Sequence, residues 1–212
     1  MAKMKNRNTG LVAEITAFDP GPSVNAAARV LDGLGAPYAL IGGLALDAWG
    51  ISRATKDVDL AVPTGTPEAA AALFAGVETT PLRIGGVAIR DEKKDLRIDL
   101  IDRRFHFADL FREAINEARE AKRLVKVGKR EIPLVGLEYL LTMKLVSGDA
   151  KDDADVRRIL SLEKLDYRGA REIVERHLGP ASASRLDAMA REMGRPEAPK
   201  HYGENGGGLE QG

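Results

Sequence analysis

Between Tyr38 and Val62 the hydrophobic period of the chain changes twice, which neither a plain helical bundle nor an all-strand fold accommodates. Tyr38-Ala39-Leu40-Ile41 is a short apolar run expected as a buried strand, and Gly42-Gly43 turns at once into Leu44-Ala45-Leu46-Asp47-Ala48-Trp49, a series of good helix formers. Gly50 ends that helix. After a polar loop from Ser52 to Lys56, the segment Asp57-Val58-Asp59-Leu60-Ala61-Val62 alternates in strand fashion as far as Pro63. The order is therefore strand, double-glycine turn, helix, strand, and the fold must contain a sheet with helices packed on it.

The flanking segments extend this plan. Upstream, Val24, Ala27, Ala28, Leu31 and Leu34 recur at helical spacing from a start signal at Ser23 to a stop at Gly35, behind a turn-rich leader over residues 1–22. Downstream, Thr66-Pro67-Glu68 reads as a threonine N-cap with proline at the first helical position, opening an alanine-rich helix to about Ala75. Strands are expected at Leu82 to Ile84 and Val87 to Arg90 around a Gly85-Gly86 hairpin turn, with a third from Leu96 to Ile101 after the charged turn Asp91 to Lys94. A helix from about Phe107 to Leu124 and a small hairpin (Val125 to Val127, Arg130 to Ile132) lead into a helical remainder from Leu137 to about Met193, with breaks near Gly148 and Gly179-Pro180.

The expected fold class is thus α+β: a small mixed sheet with helices over residues 23–105, a mostly helical part over 106–200, and a glycine-rich tail over 201–212. A cleft between the two parts is the natural ligand site. The 212 residues balance 32 basic side chains against 32 acidic ones, so any affinity for nucleic acid must come from a local patch rather than from the field of the whole molecule. The absence of cysteine excludes disulfides, thiolate metal sites and thiol catalysis, and fits a cytoplasmic setting. No apolar run is long enough to span a membrane, and Glu14 and Asp19 interrupt the place where a secretory leader would be apolar.

Chemistry concentrates on three acids. Asp57 and Asp59 are two apart on a strand, so both carboxylates leave the same face while Val58 and Leu60 point into the core. Two carboxylates side by side repel unless a cation sits between them, and hard oxygen donors select Mg²⁺ or Mn²⁺; the alternative is a solvated strand end carrying two surface acids. In Asp95-Leu96-Arg97-Ile98-Asp99-Leu100-Ile101 the apolar residues 96, 98 and 100 fill one face and leave Asp95, Arg97 and Asp99 on the other. Asp99 is mid-strand, where an ionised group needs a metal or an ion pair, with Arg97 for example. Gly42-Gly43 serves either as a simple tight turn or as a place where backbone amides approach an anion such as a triphosphate.

Tyr38 to Leu46 with its Gly-Gly corner, then Arg53-Ala54-Thr55-Lys56-Asp57-Val58-Asp59-Leu60, then Asp99 as a later third acid, resembles the signature of the DNA polymerase β-type nucleotidyltransferase superfamily, over about residues 36 to 102. Among its branches the chain looks most like the AbiEii-type toxins of toxin–antitoxin systems, which also have a helical second half. The resemblance implies Mg²⁺-dependent transfer of a nucleoside monophosphate from an NTP to a hydroxyl on RNA, on a protein or on a small molecule such as an aminoglycoside. It further implies that Asp57, Asp59 and Asp99 are catalytic metal ligands and that an antitoxin is a partner. One departure is Leu44, where many members carry serine. The alternative is a module of the same fold that binds nucleotide, or a toxin–antitoxin partner, without turnover.

Several cations and acids join this set. Lys144 falls on the apolar stripe of Leu137, Leu140, Leu141 and Leu145, where it either snorkels or meets an anion. By resemblance it contacts the triphosphate. In Lys151-Asp152-Asp153-Ala154-Asp155, Asp152 and Asp153 read as helix-start acids, and Asp155, nearer the inner face, is a partner for Lys144 or Lys151; by resemblance Lys151, Asp152 and Asp155 belong to the nucleotide site. Arg53, Thr55 and Lys56 either lean over the phosphates or cap a strand. Residues 103–130 carry nine basic against four acidic side chains, either an RNA-tracking surface or a solvated helix with internal charge pairs. His106, His177 and His201 lack metal-ligand spacing, so no zinc site is expected, and Trp49 reads as a core anchor.

Overall fold

The computed structural model describes residues 19–195, so most of the leader and the tail lie outside the described residues. The elements run α1 (Gly21–Gly33), β1 (Ala39–Leu40), α2 (Gly42–Ala48), β2 (Val58–Ala61), α3 (Thr66–Ala71), β3 (Glu78–Pro81), β4 (Gly86–Asp91), β5 (Leu96–Ile101), α4 (Ala108–Glu120), β6 (Leu124–Val127), β7 (Arg130–Pro133), α5 (Leu137–Ser147), α6 (Ala150–Leu160), α7 (Tyr167–Leu178) and α8 (Pro180–Glu192). The fold is α+β, a mixed sheet with helices followed by a helical C-terminal part. The five-stranded sheet has the order β1-β2-β5-β4-β3, antiparallel except for the parallel pair β2 and β5. The β6–β7 hairpin abuts the β1 edge: Val135 N–H donates to the Leu40 carbonyl at 3.2 Å, and Leu134 bridges Leu40.

Strand alternation sets the two faces of the sheet. Val58 and Leu60 on β2, Ile98 and Leu100 on β5 and Ile89 on β4 are at most 1% exposed and belong to one hydrophobic cluster that runs from Val24 on α1 to Ala190 on α8. Both halves of the chain share that cluster. Helix α5 is buried almost all round, which suits a helix with little polar surface, and it packs against both α6 and α7. Truncating Ile98, fully buried at the centre of the sheet, removes apolar contact and leaves a void no backbone shift can close. We expect Ile98→Ala to cost about 2–5 kcal/mol in a urea titration; a cost under about 1 kcal/mol would mean that the strand is not central.

Four expectations from sequence need correction. Helix α1 begins at Gly21 with Pro20 at its cap, because Ser23 is buried and its hydroxyl is spent on β5, accepting from Arg97 N–H at 3.0 Å and donating to the Asp95 carbonyl. Gly65, left-handed at φ 84°, caps α3 in place of Thr66, with no side-chain bond. The strand expected at Leu82 to Ile84 lies at Glu78–Pro81, since Leu82 to Gly85 make a longer turn in which Leu82 N–H donates to the Gly86 carbonyl at 2.9 Å. Its residues are exposed on the sheet edge, so no apolar alternation marked them. The helical remainder also breaks between Leu160 and Tyr167, where Asp166 caps α7 by accepting from Gly169 N–H at 3.1 Å. No described helix is long and apolar enough to cross a membrane.

Candidate active site

β2 and β5 are parallel neighbours in a register that sets Asp59 opposite Asp99. The alternation that buries Val58, Leu60, Ile98 and Leu100 turns both carboxylates to the other face. Asp57 stands one strand position earlier on the same side. The three acids come together, but not alone: Arg90 reaches across from β4 and bridges two of them, its guanidinium 2.6 Å from Asp99 and 3.8 Å from Asp57. A second nitrogen of Arg90 donates to the Ile98 carbonyl at 2.8 Å and holds the group in place. Arg97, the partner considered for Asp99, instead lies 3.7 Å from Asp95.

Asp59 has the most strained electrostatics of the three. Burial, then the negative charges of Asp99 and Asp57, push its carboxyl up to about 7; the nearby Lys144 charge and a hydrogen bond from Gly43 N–H only partly offset them. Asp99 is raised as well, by burial, with Arg90 acting in the opposite direction. The cluster is thus short of positive charge. Its donors are hard carboxylate oxygens, and they fit a divalent cation of the Mg²⁺ or Mn²⁺ type. Arg90 is the cation that Asp57 and Asp99 share, and among the described residues no group of three or more His, Cys, Asp or Glu side chains forms a ready-made metal cage.

The glycine corner has a specific occupant. Gly42 is left-handed at φ 68°, and a β-carbon there would fall 1.9 Å from Asp59 Oδ2, so only glycine lets the carboxylate lie against this turn. The anion at the start of α2 is therefore Asp59 itself. At Gly43 a β-carbon would meet Thr55 at 2.8 Å, which fixes the Thr55 side chain over the corner. Leu44, the next residue along, is buried at 2% exposure and offers nothing to a ligand.

Facing this corner, α5 and α6 supply a charge network. Lys144 Nζ is 2.6 Å from Asp152 and 3.3 Å from Asp155, so the lysine on the apolar stripe meets anions rather than snorkelling to water. Asp155, 1% exposed, also accepts from Arg53 at 2.5 Å and lies 3.6 Å from Arg158. The start of α6 is capped by Asp149, which accepts from Asp152 N–H at 2.8 Å. Asp152 and Asp153 have other tasks: Asp152 holds Lys144, and Asp153 pairs with Arg185. For Asp152, burial raises the proton affinity, but hydrogen bonds from Lys144 and Ser147 outweigh it and the net shift is downward.

Two openings border the acids, one at Asp59 and the other at Asp57. A cleft of about 140 Å³ is lined by Gly42, Asp59, Arg103, Lys144 and Asp152 over an apolar wall that includes Phe111 and Met143. A wider, open one of about 650 Å³ is lined by Arg53, Thr55, Lys56, Asp57, Arg97 and Lys151. Of the eleven residues singled out from sequence, Gly42, Arg53, Thr55, Asp57, Asp59, Lys144, Lys151 and Asp152 line these openings; Gly43, Asp99 and Asp155 line neither, and Asp155 touches the lining through Arg53 and Lys144. Arg90 escaped sequence reasoning, and Arg103 entered it only as one of the nine basic side chains over 103–130, since neither sits at a motif spacing.

Among the described residues, four of the nine basic side chains over 103–130 are engaged in ion pairs. Arg104 is held by Glu68 and Asp102, Arg112 by Asp109, Arg123 by Glu117 and Arg130 by Asp32, each within 2.9 Å. Trp49 is a partial anchor: its indole N–H donates to the Val135 carbonyl at 3.0 Å, and the Lys164 ammonium stands 4.9 Å from the ring centroid.

No protein-family model and no curated protein sequence matches the chain. Three solved structures resemble 80% of it. They are the solution structure of the antibiotic-resistance factor ANT(2'')-Ia (20% identity, 89% of that chain, TM-score 0.43), the crystal structure of ANT(2'')-Ia in complex with adenylyl-2''-tobramycin (17%, 94%, 0.42), and an antigenic nucleotidyltransferase-like protein from Paracoccidioides brasiliensis (14%, 92%, 0.40). These values describe a partial likeness of fold.

Proposed function

We propose that this chain is a nucleotidyltransferase of the DNA polymerase β type, moving a nucleoside monophosphate from an NTP to a hydroxyl acceptor. The observation that carries the reading is the register of β2 on β5, which brings Asp59 beside Asp99 on a face already short of positive charge. Asp57, Asp59 and Asp99 would hold a divalent cation, which would supply Lewis-acid polarisation of the phosphoryl oxygens and lower the proton affinity of the acceptor hydroxyl. In the transfer a bond forms from the acceptor oxygen to the α-phosphorus, the bond from that phosphorus to the bridging oxygen breaks, and pyrophosphate leaves with the electron pair. The hydroxyl proton passes to the Asp99 carboxylate, the acid on the adjacent strand.

The other residues bind and orient. Lys144, held by Asp152 and Asp155, brings a positive charge to the narrow cleft beside Asp59. Arg53, Thr55 and Lys151 border the wide opening next to Asp57, where the nucleotide enters. The acceptor is an RNA end, a protein hydroxyl or a small molecule. An RNA-end acceptor is the case for which we propose a toxin role with an antitoxin partner. Buried Leu44 and the Arg90 bridge favour a second reading, a nucleotide-binding sensor or toxin–antitoxin partner without turnover.

Incubation with each α-labelled NTP, Mg²⁺ and total RNA or cell extract tests the choice. Label on an acceptor that disappears with Asp57→Ala/Asp59→Ala is the expected result. Label persisting in that variant would overturn the carboxylate mechanism, and tight NTP binding with no labelled acceptor would establish the sensor.

A further inference from the structure

Arg103 has a backbone and a side chain that the fold holds at some cost. It adopts φ 48°, in the left-handed region that non-glycine residues seldom occupy. Its neighbours on both sides enforce this. Asp102 is 1% exposed and accepts from Arg104 N–H and Arg104 Nε, both at 3.2 Å, and from Gly65 N–H at 3.4 Å. Gly85 presses from the β3–β4 turn: a β-carbon there would come within 2.8 Å of Arg104 N and 3.1 Å of Arg103 Cα. A buried carboxylate and a glycine contact thus over-determine one strained residue, the pattern of a side chain aimed for a purpose.

The side chain it aims enters the narrow cleft with Asp59, Lys144 and Asp152. Arg103 is half-buried, and its proton affinity is lowered by loss of water, with the charge of Asp152 acting against that. Among the described residues its guanidinium makes no hydrogen bond or ion pair. The cleft's other cation, Lys144, is committed to Asp152 and Asp155. A half-desolvated guanidinium with its donors unspent calls for a planar, multidentate anion, and phosphate is the group its fork matches best.

We propose that Arg103 grips the phosphates of the bound nucleotide and is the residue that tells a polyphosphate from a monophosphate. The inference rests on the nucleotidyltransferase reading and adds to it a substrate-binding residue beyond the acids and Lys144. Calorimetric titrations with inorganic pyrophosphate, ATP and AMP test it, on the wild type and on Arg103→Asn and Arg103→Lys. Asparagine tolerates positive φ, so that variant relieves strain, and its melting temperature should equal or exceed the wild type's. Pyrophosphate and ATP affinities should fall by about tenfold or more in Arg103→Asn and by less in Arg103→Lys, while AMP affinity changes by less than about threefold. Unchanged pyrophosphate and ATP affinities in Arg103→Asn, or a loss shared equally by AMP, overturn the role of Arg103 and leave the nucleotidyltransferase reading standing. A wild type that binds neither ATP nor pyrophosphate overturns that reading and the inference with it.

Discussion

Replacing Asp59 with asparagine should abolish nucleotidyl transfer and, in metal-free protein, stabilise the fold at pH 8. The sign follows from proton linkage. Burial, Asp99 and Asp57 raise the folded-state pKa from 3.8 to about 7, so between those values the native state binds more protons than the unfolded one. Stability contributed by this group therefore falls as pH climbs from about 4 to about 7 and stays low above that. Asparagine is isosteric, carries no charge and still accepts from Gly43 N–H. At about 1.4 kcal/mol per pH unit the full shift would be worth roughly 4 kcal/mol, and with water admitted to a half-buried site we expect about 2 kcal/mol. Urea titrations in chelator at pH 8 and pH 4.5 check this: a gain at pH 8 that shrinks to about a quarter at pH 4.5 is expected, and a variant less stable than wild type at pH 8 would show that the carboxylates do not crowd one another. Activity should fall by about three orders of magnitude or more, as for loss of a group that acts on the transition state.

The second large effect is structural. Asp155→Ala should destabilise the protein by about 3–5 kcal/mol, because it strips the counter-charge from Arg53 and Lys144, whose side chains are only 13% and 12% exposed. Lys144 keeps Asp152, but Arg53 has no second carboxylate among the ion pairs of the described residues. With the network broken, the α5–α6 side of the cleft loses its tie to the loop before β2, and NTP affinity should fall too. The exposed pair Asp109–Arg112 is the control: Asp109→Ala should cost at most about 1 kcal/mol, since solvent already screens it. Equal costs for the two substitutions in parallel denaturant titrations would refute the buried hub.

The acids were legible because their spacing interacts with strand geometry. A two-residue step in an alternating segment dictates a shared face, and Asp57, Asp59 and Asp99 needed nothing more to be recognised as one-sided. Lys144 was legible for a similar reason, a charge out of place on an apolar helical stripe. Arg90 and Arg103 were not. Arg90 belongs to the site only because β4 lies beside β5 with Arg90 opposite Arg97, a pairing that no local pattern announces. Arg103 follows a strand end, and its conformation is imposed by Gly85 and Gly65, both remote in sequence. The Gly42-Gly43 turn was located correctly, but its tightness serves Asp59 rather than leaving an open cradle. The basic stretch read from sequence as either an RNA-tracking surface or internal charge pairs, and the ion pairs of Arg112 with Asp109 and Arg123 with Glu117 favour the second, while Arg104 and Arg130 find Glu68 and Asp32, remote in sequence.

What the sequence by itself determined is everything set by period and punctuation: the α+β order of elements, the faces of β2 and β5, the breaks at Gly148 and Gly179, and the candidate acids. These are local, because side-chain direction repeats every two residues in a strand and about every 3.6 in a helix whatever the rest of the chain does. Tertiary structure decided which charges neutralise which. The hub at Asp155 joins segments about a hundred residues apart, and even Arg90 and Asp99, nine residues apart on neighbouring strands, meet only through the register of β4 on β5; electrostatic partners are chosen by distance in space, which no periodicity encodes.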